Sequence, residues 1–135
     1  MQINATSPAR MAQAFLRAAH SESVRSVIQI TDMKLANPNP DFFSYTMSKH
    51  ALNATIAMLA KAYAHDHGVR VYGIAPGAIL ASHDQTEDET EVSHTLNLLG
   101  RKTAPQEIVD AARFLAKGAL KSGSTLYIDS GQHLL

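Results

Sequence analysis

Residues 26–31 (SVIQIT) and 70–75 (RVYGIA) are short β-rich runs, and between them lies one alanine-rich helical stretch, 43–67. Strand, long helix, strand is a βαβ unit, and it constrains this chain more than any other feature. Its two strands must run parallel and end at the same edge of one sheet. In open parallel sheets a ligand crevice lies outside the carboxyl ends of the strands. Asp32 follows the first strand and Pro76-Gly77-Ala78-Ile79 follow the second, while the helix carrying Tyr45 and Lys49 starts near that edge. Several separate segments therefore converge where a ligand would bind.

The flanking sequence supplies the rest of an α/β unit. Residues 5–20 (ATSPARMAQAFLRAAH) are expected to form a helix, with Ser7 as cap, Pro8 in the first turn, and Met11, Phe15, Leu16 and Ala19 at helical spacing. The polar stretch 20–23 breaks it. Asn37-Pro38-Asn39-Pro40-Asp41 can only be a loop, and Gly68 is expected to stop the long helix. A further helix from about Pro105 to Lys117 turns Ile108, Val109, Ala112, Phe114 and Leu115 inward, and a third strand follows at 124–129. The long helix carries two apolar stripes. Leu52, Ile56, Leu59 and Tyr63 form one; Met47, Ala51, Ala54, Met58 and Ala62 form the other. Such a helix needs cover on two sides, by the sheet and by a helix or partner subunit, with the first helix the obvious companion.

At 135 residues this is a single α/β unit. Twelve basic and twelve acidic residues cancel, so there is no electrostatic footprint for nucleic acid or an anionic membrane. Without cysteine there are no disulfides and no thiolate metal sites. No apolar run approaches a membrane span, so a soluble cytoplasmic protein is the expectation. Residues 80–95 read as an acidic solvated loop or helix start. His83 and Glu87 lack a third ligand at convincing spacing, so no metal site is expected. His65, His67, His94 and His133 share no face and read as surface residues.

Tyr45 and Lys49 stand one helical turn apart on one face. An ammonium near a phenol favours the phenolate and is expected to lower the tyrosine pKa, making Tyr45 a proton donor or acceptor near neutral pH. Spacing alone is weak, since Tyr-x-x-x-Lys recurs by chance. The convergence with Asp32 and Pro76-Gly77 is what gives it weight.

Taken together, Asp32, Tyr45-Thr46-Met47-Ser48-Lys49, Ala75-Pro76-Gly77-Ala78-Ile79, Gly100-Arg101 with Pro105 and Glu107, and Asp129-Ser130-Gly131 resemble the short-chain dehydrogenase/reductase family over nearly the whole chain. Within it the chain is most similar to the pteridine reductases and dihydromonapterin (dihydrofolate-type) reductases, on Tyr-Thr-Met-Ser-Lys, Ala-Pro-Gly-Ala-Ile-Leu and an aspartate at the usual serine position. The resemblance implies the C-terminal half of a doubly wound, Rossmann-like parallel sheet, here three strands with flanking helices. It implies NADPH (or NADH) as cofactor and a homo-oligomer, commonly a dimer or tetramer. Tyr45 would be the proton donor, and Lys49 would tune it and bind the nicotinamide ribose. Asp32 would take the serine's place, Asn4 would order a relay water, and Pro76, Gly77, Ala78 and Ile79 would lie against the nicotinamide. Three departures stand out. Tyr72 replaces an asparagine, Ser130-Gly131 replaces Gly-Gly, and no Gly-rich phosphate-binding turn occurs in these residues.

An ionised aspartate only accepts hydrogen bonds, so at position 32 it would raise the tyrosine pKa and oppose Lys49. It suits a substrate with ring N–H or amino groups, such as a pterin. Were its own pKa raised by burial, it could itself donate a proton. Its plain structural alternative is an Asx-type turn after the strand. The leading expectation is an NADPH-dependent reductase of a pterin-like heterocycle. The alternatives are a non-catalytic, self-associating module with an exposed apolar sheet edge, and a carbonyl reductase of the same family.

Overall fold

The structure is a computed structural model that describes residues 1–18, 25–67, 69–118 and 120–135. Strands β1 (Arg25–Ile30), β2 (Val69–Pro76) and β3 (Thr125–Ile128) form one parallel sheet in the order β1-β2-β3. Arg25 pairs with Val69 at one end of the β1–β2 ladder and Ile30 with Ile74 at the other, while Gly73 pairs with Thr125 across β2–β3. Helices α1 (Ser7–Arg17) and α2 (Phe43–His67) cover one face, and α4 (Pro105–Ala116) covers the other. Helix α3 (Glu87–Thr95) lies in the stretch after β2. The expected βαβ unit is present. Extension of the first helix to residue 20, the break at 20–23 and the Gly68 stop lie outside the described residues, as do the side chains of His65 and His67.

The period-two pattern of β2 explains the two cores. Val69 and Val71 point to one face and pack with Ala12 and Leu16 of α1 and Ile56 and Leu59 of α2. Tyr72 and Ile74 point to the other and pack with Ala111 and Leu115 of α4. Because β2 is buried on both faces, it reads as a continuous apolar run. Tyr72, fully buried, donates its hydroxyl to the Leu120 carbonyl at 2.8 Å, which satisfies the one polar atom this departure from the family pattern introduces.

At Gly73 both α2 and β3 press close on β2. A methyl group there would strike the Thr125 hydroxyl and would lie 2.7 Å from Ile56 Cδ1. Gly73→Ala is therefore expected to destabilise the fold by about 1–3 kcal/mol through overpacking, read as a lower urea midpoint at unchanged m-value. An unchanged midpoint would mean α2 can shift away without loss.

Several sequence expectations are corrected. Ser7 is not a cap: a π-helical turn, Gln2–Thr6, runs directly into α1, so Ser7 sits inside continuous helix. On α1 the buried positions are Ala12 and Leu16, while Met11 and Phe15 are exposed, since the sheet meets a narrower stripe than the apolar pattern offers. Val109 and Phe114 of α4 are likewise exposed, and Ala111 is buried instead. On α2 the Leu52-Ile56-Leu59 stripe is buried, and α1 packs on this same side; Met47 and Met58 of the second stripe remain exposed. The first strand is half-buried: Gln29 is buried while Ile30 is 46% exposed, and among the described residues β1 pairs on one side only. Residues 87–95 form a helix because Thr86 and Glu89 make a reciprocal capping box. His94 is buried, and His133 bonds Asp129 at 2.7 Å and stacks on Tyr127.

Ser130 adopts φ +54°, a left-handed conformation that glycine adopts without a Cβ clash. Its hydroxyl lies 2.7 Å from that of buried Thr103, a contact Gly-Gly could not make.

Candidate active site

The strands end together, and the expected groups gather there. Asp32 leaves β1 with extended backbone, and its Oδ1 accepts the Lys34 N–H at 2.9 Å, opening a short 3₁₀ turn, Met33–Leu35. That is an Asx-type turn. Its other oxygen, Oδ2, accepts the Tyr45 hydroxyl at 2.7 Å. One carboxylate oxygen of Asp32 thus closes the turn and the other meets the tyrosine hydroxyl.

Tyr45 stands on the first turn of α2, held by a chain of contacts on its inner side. Ser48 Oγ donates to the Tyr45 carbonyl at 2.6 Å, and Asn4 Nδ2 donates to Ser48 Oγ at 3.2 Å. Lys49 lies 5.6 Å over the Tyr45 ring and donates to the Ile30 carbonyl at 3.0 Å. This ammonium has further N–H groups for a ligand. A cleft of about 460 Å³ is lined by Asp32, Tyr45, Lys49 and Pro76 through Leu80, together with Pro105, Ile108 and Val109 of α4. Its size suits a small organic ligand.

Asn4 does not line this cleft. It lies on the π-helical turn beside an adjoining apolar groove of about 530 Å³ along the outer edge of β1, which also includes Lys49. Pro105, Ile108 and Val109 are cleft residues the sequence did not announce, because nothing local marks a helix face as lying across from a strand end 29 or more residues away.

The electrostatics differ from the expectation drawn from Lys49. The Tyr45 pKa is held well above the ordinary phenol range, first by burial, then by the hydrogen bond to Asp32 and its negative charge. Asp32 touches the hydroxyl itself, whereas Lys49 stands over the ring and spends a donor on Ile30, so the acid prevails. Burial in turn lowers the Lys49 pKa, with Asp32 opposing that shift. Tyr45 therefore keeps its proton throughout the neutral range.

An alkaline titration of tyrosinate absorbance, taken as wild type minus Tyr45→Phe, should place Tyr45 above the ordinary phenol value of about 10. Asp32→Asn keeps an acceptor but removes the charge, and should move that midpoint to lower pH. No movement would assign the shift to burial and the hydrogen bond rather than to the charge. The sign for stability follows: the contribution from a neutral Tyr45 is fully present below the unfolded pKa of about 10, and it is lost as pH rises through the higher folded value.

Arg101 grips Glu107 through two bonds of 2.7 and 2.9 Å, and Glu107 also accepts the Ala104 N–H at 2.8 Å. The guanidinium first, and then that amide, hold the Glu107 carboxyl down at about 2. Among the described residues, no three His, Asp or Glu side chains gather as a metal site. No described helix is long and apolar enough to cross a membrane.

A family model described as enoyl-(acyl carrier protein) reductase matches residues 1–133. The chain belongs to the short-chain dehydrogenase/reductase family. It is 30% identical to a dihydromonapterin reductase of Escherichia coli, covering 99% of this chain and 56% of that protein. An uncharacterized oxidoreductase of Schizosaccharomyces pombe is 32% identical, over 84% of this chain and 41% of its own length. Among solved structures, the FolM alternative dihydrofolate reductase of Brucella suis in complex with NADP superposes with a TM-score of 0.90 at 31% identity, over 98% of this chain and 53% of that one. An angucycline ketoreductase at 22% identity and TM-score 0.85 shares the fold. The chain spans about half the length of the relatives it matches. Its three parallel strands and flanking helices are the Rossmann-like architecture of this reductase family.

Proposed function

We propose that this chain carries the proton-transfer end of an NADPH-dependent reductase that acts on a pterin-like heterocycle, with Tyr45 as the proton donor. The observation that carries the reading is the 2.7 Å bond from the Tyr45 hydroxyl to Asp32. An ionised carboxylate accepts and cannot hold a ketone oxygen by donation. A heterocycle with N–H or amino groups can offer Asp32 a replacement donor. The Tyr45 hydroxyl is then free to turn toward the substrate nitrogen that becomes basic as its neighbouring carbon is reduced. A high pKa does not oppose this, because a nitrogen anion is a far stronger base than a phenolate.

Tyr45, Lys49 and Pro76 through Ile79 would hold the nicotinamide end of the cofactor. The spare Lys49 donors and the cleft fit that group, while the Gly-rich phosphate cradle is not among these residues. When bound, a reduced nicotinamide supplies the hydride. NADP is favoured over NAD by the solved relatives that carry it. Asn4 is proposed to orient the Tyr45 turn through Ser48 and to order a relay water from the groove side. The test is NADPH oxidation by the polypeptide containing this chain, with an oxidised pterin against a simple ketone. Pterin-dependent oxidation in excess supports the reading; oxidation with neither substrate opposes it.

A second reading has its own observation. The outer edge of β1 meets no strand among the described residues, and the groove beside it exposes Ile3, Met11, Phe15 and Ile30. Buried Gln29 Nε2 and Ser26 Oγ on β1 have no hydrogen-bond partner in the described structure. An unpaired apolar edge favours association, which supports a self-associating, non-catalytic module, and equally a dimer or tetramer of the reductase. NADPH titration of the 135-residue chain separates them, since tight binding without the phosphate cradle opposes the module reading.

A further inference from the structure

Behind the cleft, the turn after β3 lies between the loop that follows β2 and the helix α3. Gln132 touches both. Its Oε1 accepts the Ala78 N–H at 2.9 Å, and its Nε2 donates to the Ser93 carbonyl at 3.2 Å. The orientation of the amide is dictated, since a backbone N–H can only donate and a carbonyl can only accept. Two further features build the junction. Asp129, buried, accepts the Gly131 and His133 N–H groups at 3.0 and 2.7 Å and so sets the 3₁₀ turn Gln132–Leu134. Gly77 lies so close that a methyl group there would sit 2.7 Å from Gln132 Oε1 and 2.7 Å from Asp129 Cβ.

We infer that Gln132 is a positioning residue that ties α3 to the Pro76–Ile79 side of the cleft, so that the two segments hold or move together. Only a side chain that accepts and donates at once can serve both, and a carboxylate at this position would keep one arm and lose the other. Gln132 touches no cleft volume itself. It acts through the Ala78 amide and the start of the loop that leads to α3.

The test is amide hydrogen exchange on the full chain without ligand, in wild type, Gln132→Met and Gln132→Glu. Gln132→Met should speed exchange at Ala78 and at the α3 amides ending at Leu96 by about fivefold to tenfold, the size of one ordinary hydrogen bond. The amides of β2 should stay unchanged. Gln132→Glu should restore protection at Ala78 while α3 still exchanges fast. Unchanged exchange at Ala78 in Gln132→Met, equal behaviour of the two variants, or acceleration of β2 along with the rest would each overturn the inference. A kinetic arm rests on the proposed reductase activity: Gln132→Met should raise the KM for NADPH more than it lowers kcat, and a loss confined to kcat counts against the inference. If wild type consumes no NADPH, the functional reading fails while the exchange result still decides the role of Gln132.

Discussion

Tyr45→Phe is expected to cut pterin-dependent turnover by about 10²–10⁴-fold, the usual contribution of a positioned proton donor. NADPH affinity should stay nearly intact. The ring, its packing and the Lys49 contact over it are all retained; only the oxygen that reaches Asp32 is lost. Single-turnover NADPH oxidation with a parallel fluorescence titration of NADPH separates the two effects. Unchanged turnover would remove Tyr45 from the mechanism, and a matching loss of affinity would recast it as a binding residue. Because the hydroxyl is bonded to a carboxylate, Tyr45→Phe also frees Asp32 Oδ2, while Oδ1 keeps its bond from Lys34.

Asp32→Ser is the second large effect, and it tests substrate class. A serine hydroxyl can donate to a carbonyl oxygen, whereas the carboxylate it replaces can only accept from N–H groups. Loss of a charged hydrogen bond to substrate is worth about 1.5–3 kcal/mol, or roughly 10- to 150-fold in kcat/KM on a pterin. Reduction of a simple ketone should fall less. Equal losses on both substrates would remove the heterocycle argument and favour a carbonyl reductase. The same variant should lower the Tyr45 pKa toward the ordinary phenol range, since both the charge and the carboxylate acceptor are gone.

The helical turn between Tyr45 and Lys49 and the parallel strands that bring Asp32 and Pro76 to one edge follow from local pattern, and all are legible in the sequence. Periodicity is local, and the βαβ unit leaves little topological choice. The inward face of α4 is narrower than its apolar pattern and leaves Val109 and Phe114 exposed, and on α1 the helical spacing of Met11 and Phe15 does not bring them into the core. An apolar residue on a helix declares that burial is favourable, not that a partner surface reaches it. An exposed apolar sheet edge is an expectation of the sequence, and the strand order locates it: the outer side of β1 meets no strand among the described residues. Gln132 was invisible: its contacts lie 54 and 39 residues away in the chain, on a turn with no motif of its own.

The sequence by itself determined the α/β class, the parallel direction of the strands and the residues that meet at their carboxyl ends. It also identified Asp32 as the unusual member. Whether Asp32 or Lys49 governs the tyrosine was decided only by tertiary structure, because both act at short range and in opposite senses. A helix places Lys49 near Tyr45 by spacing, but over its ring, 5.6 Å from the centroid. The sheet edge brings Asp32 to 2.7 Å from the hydroxyl oxygen itself. Contact at the titrating atom, together with burial, outweighs a cation held to the side.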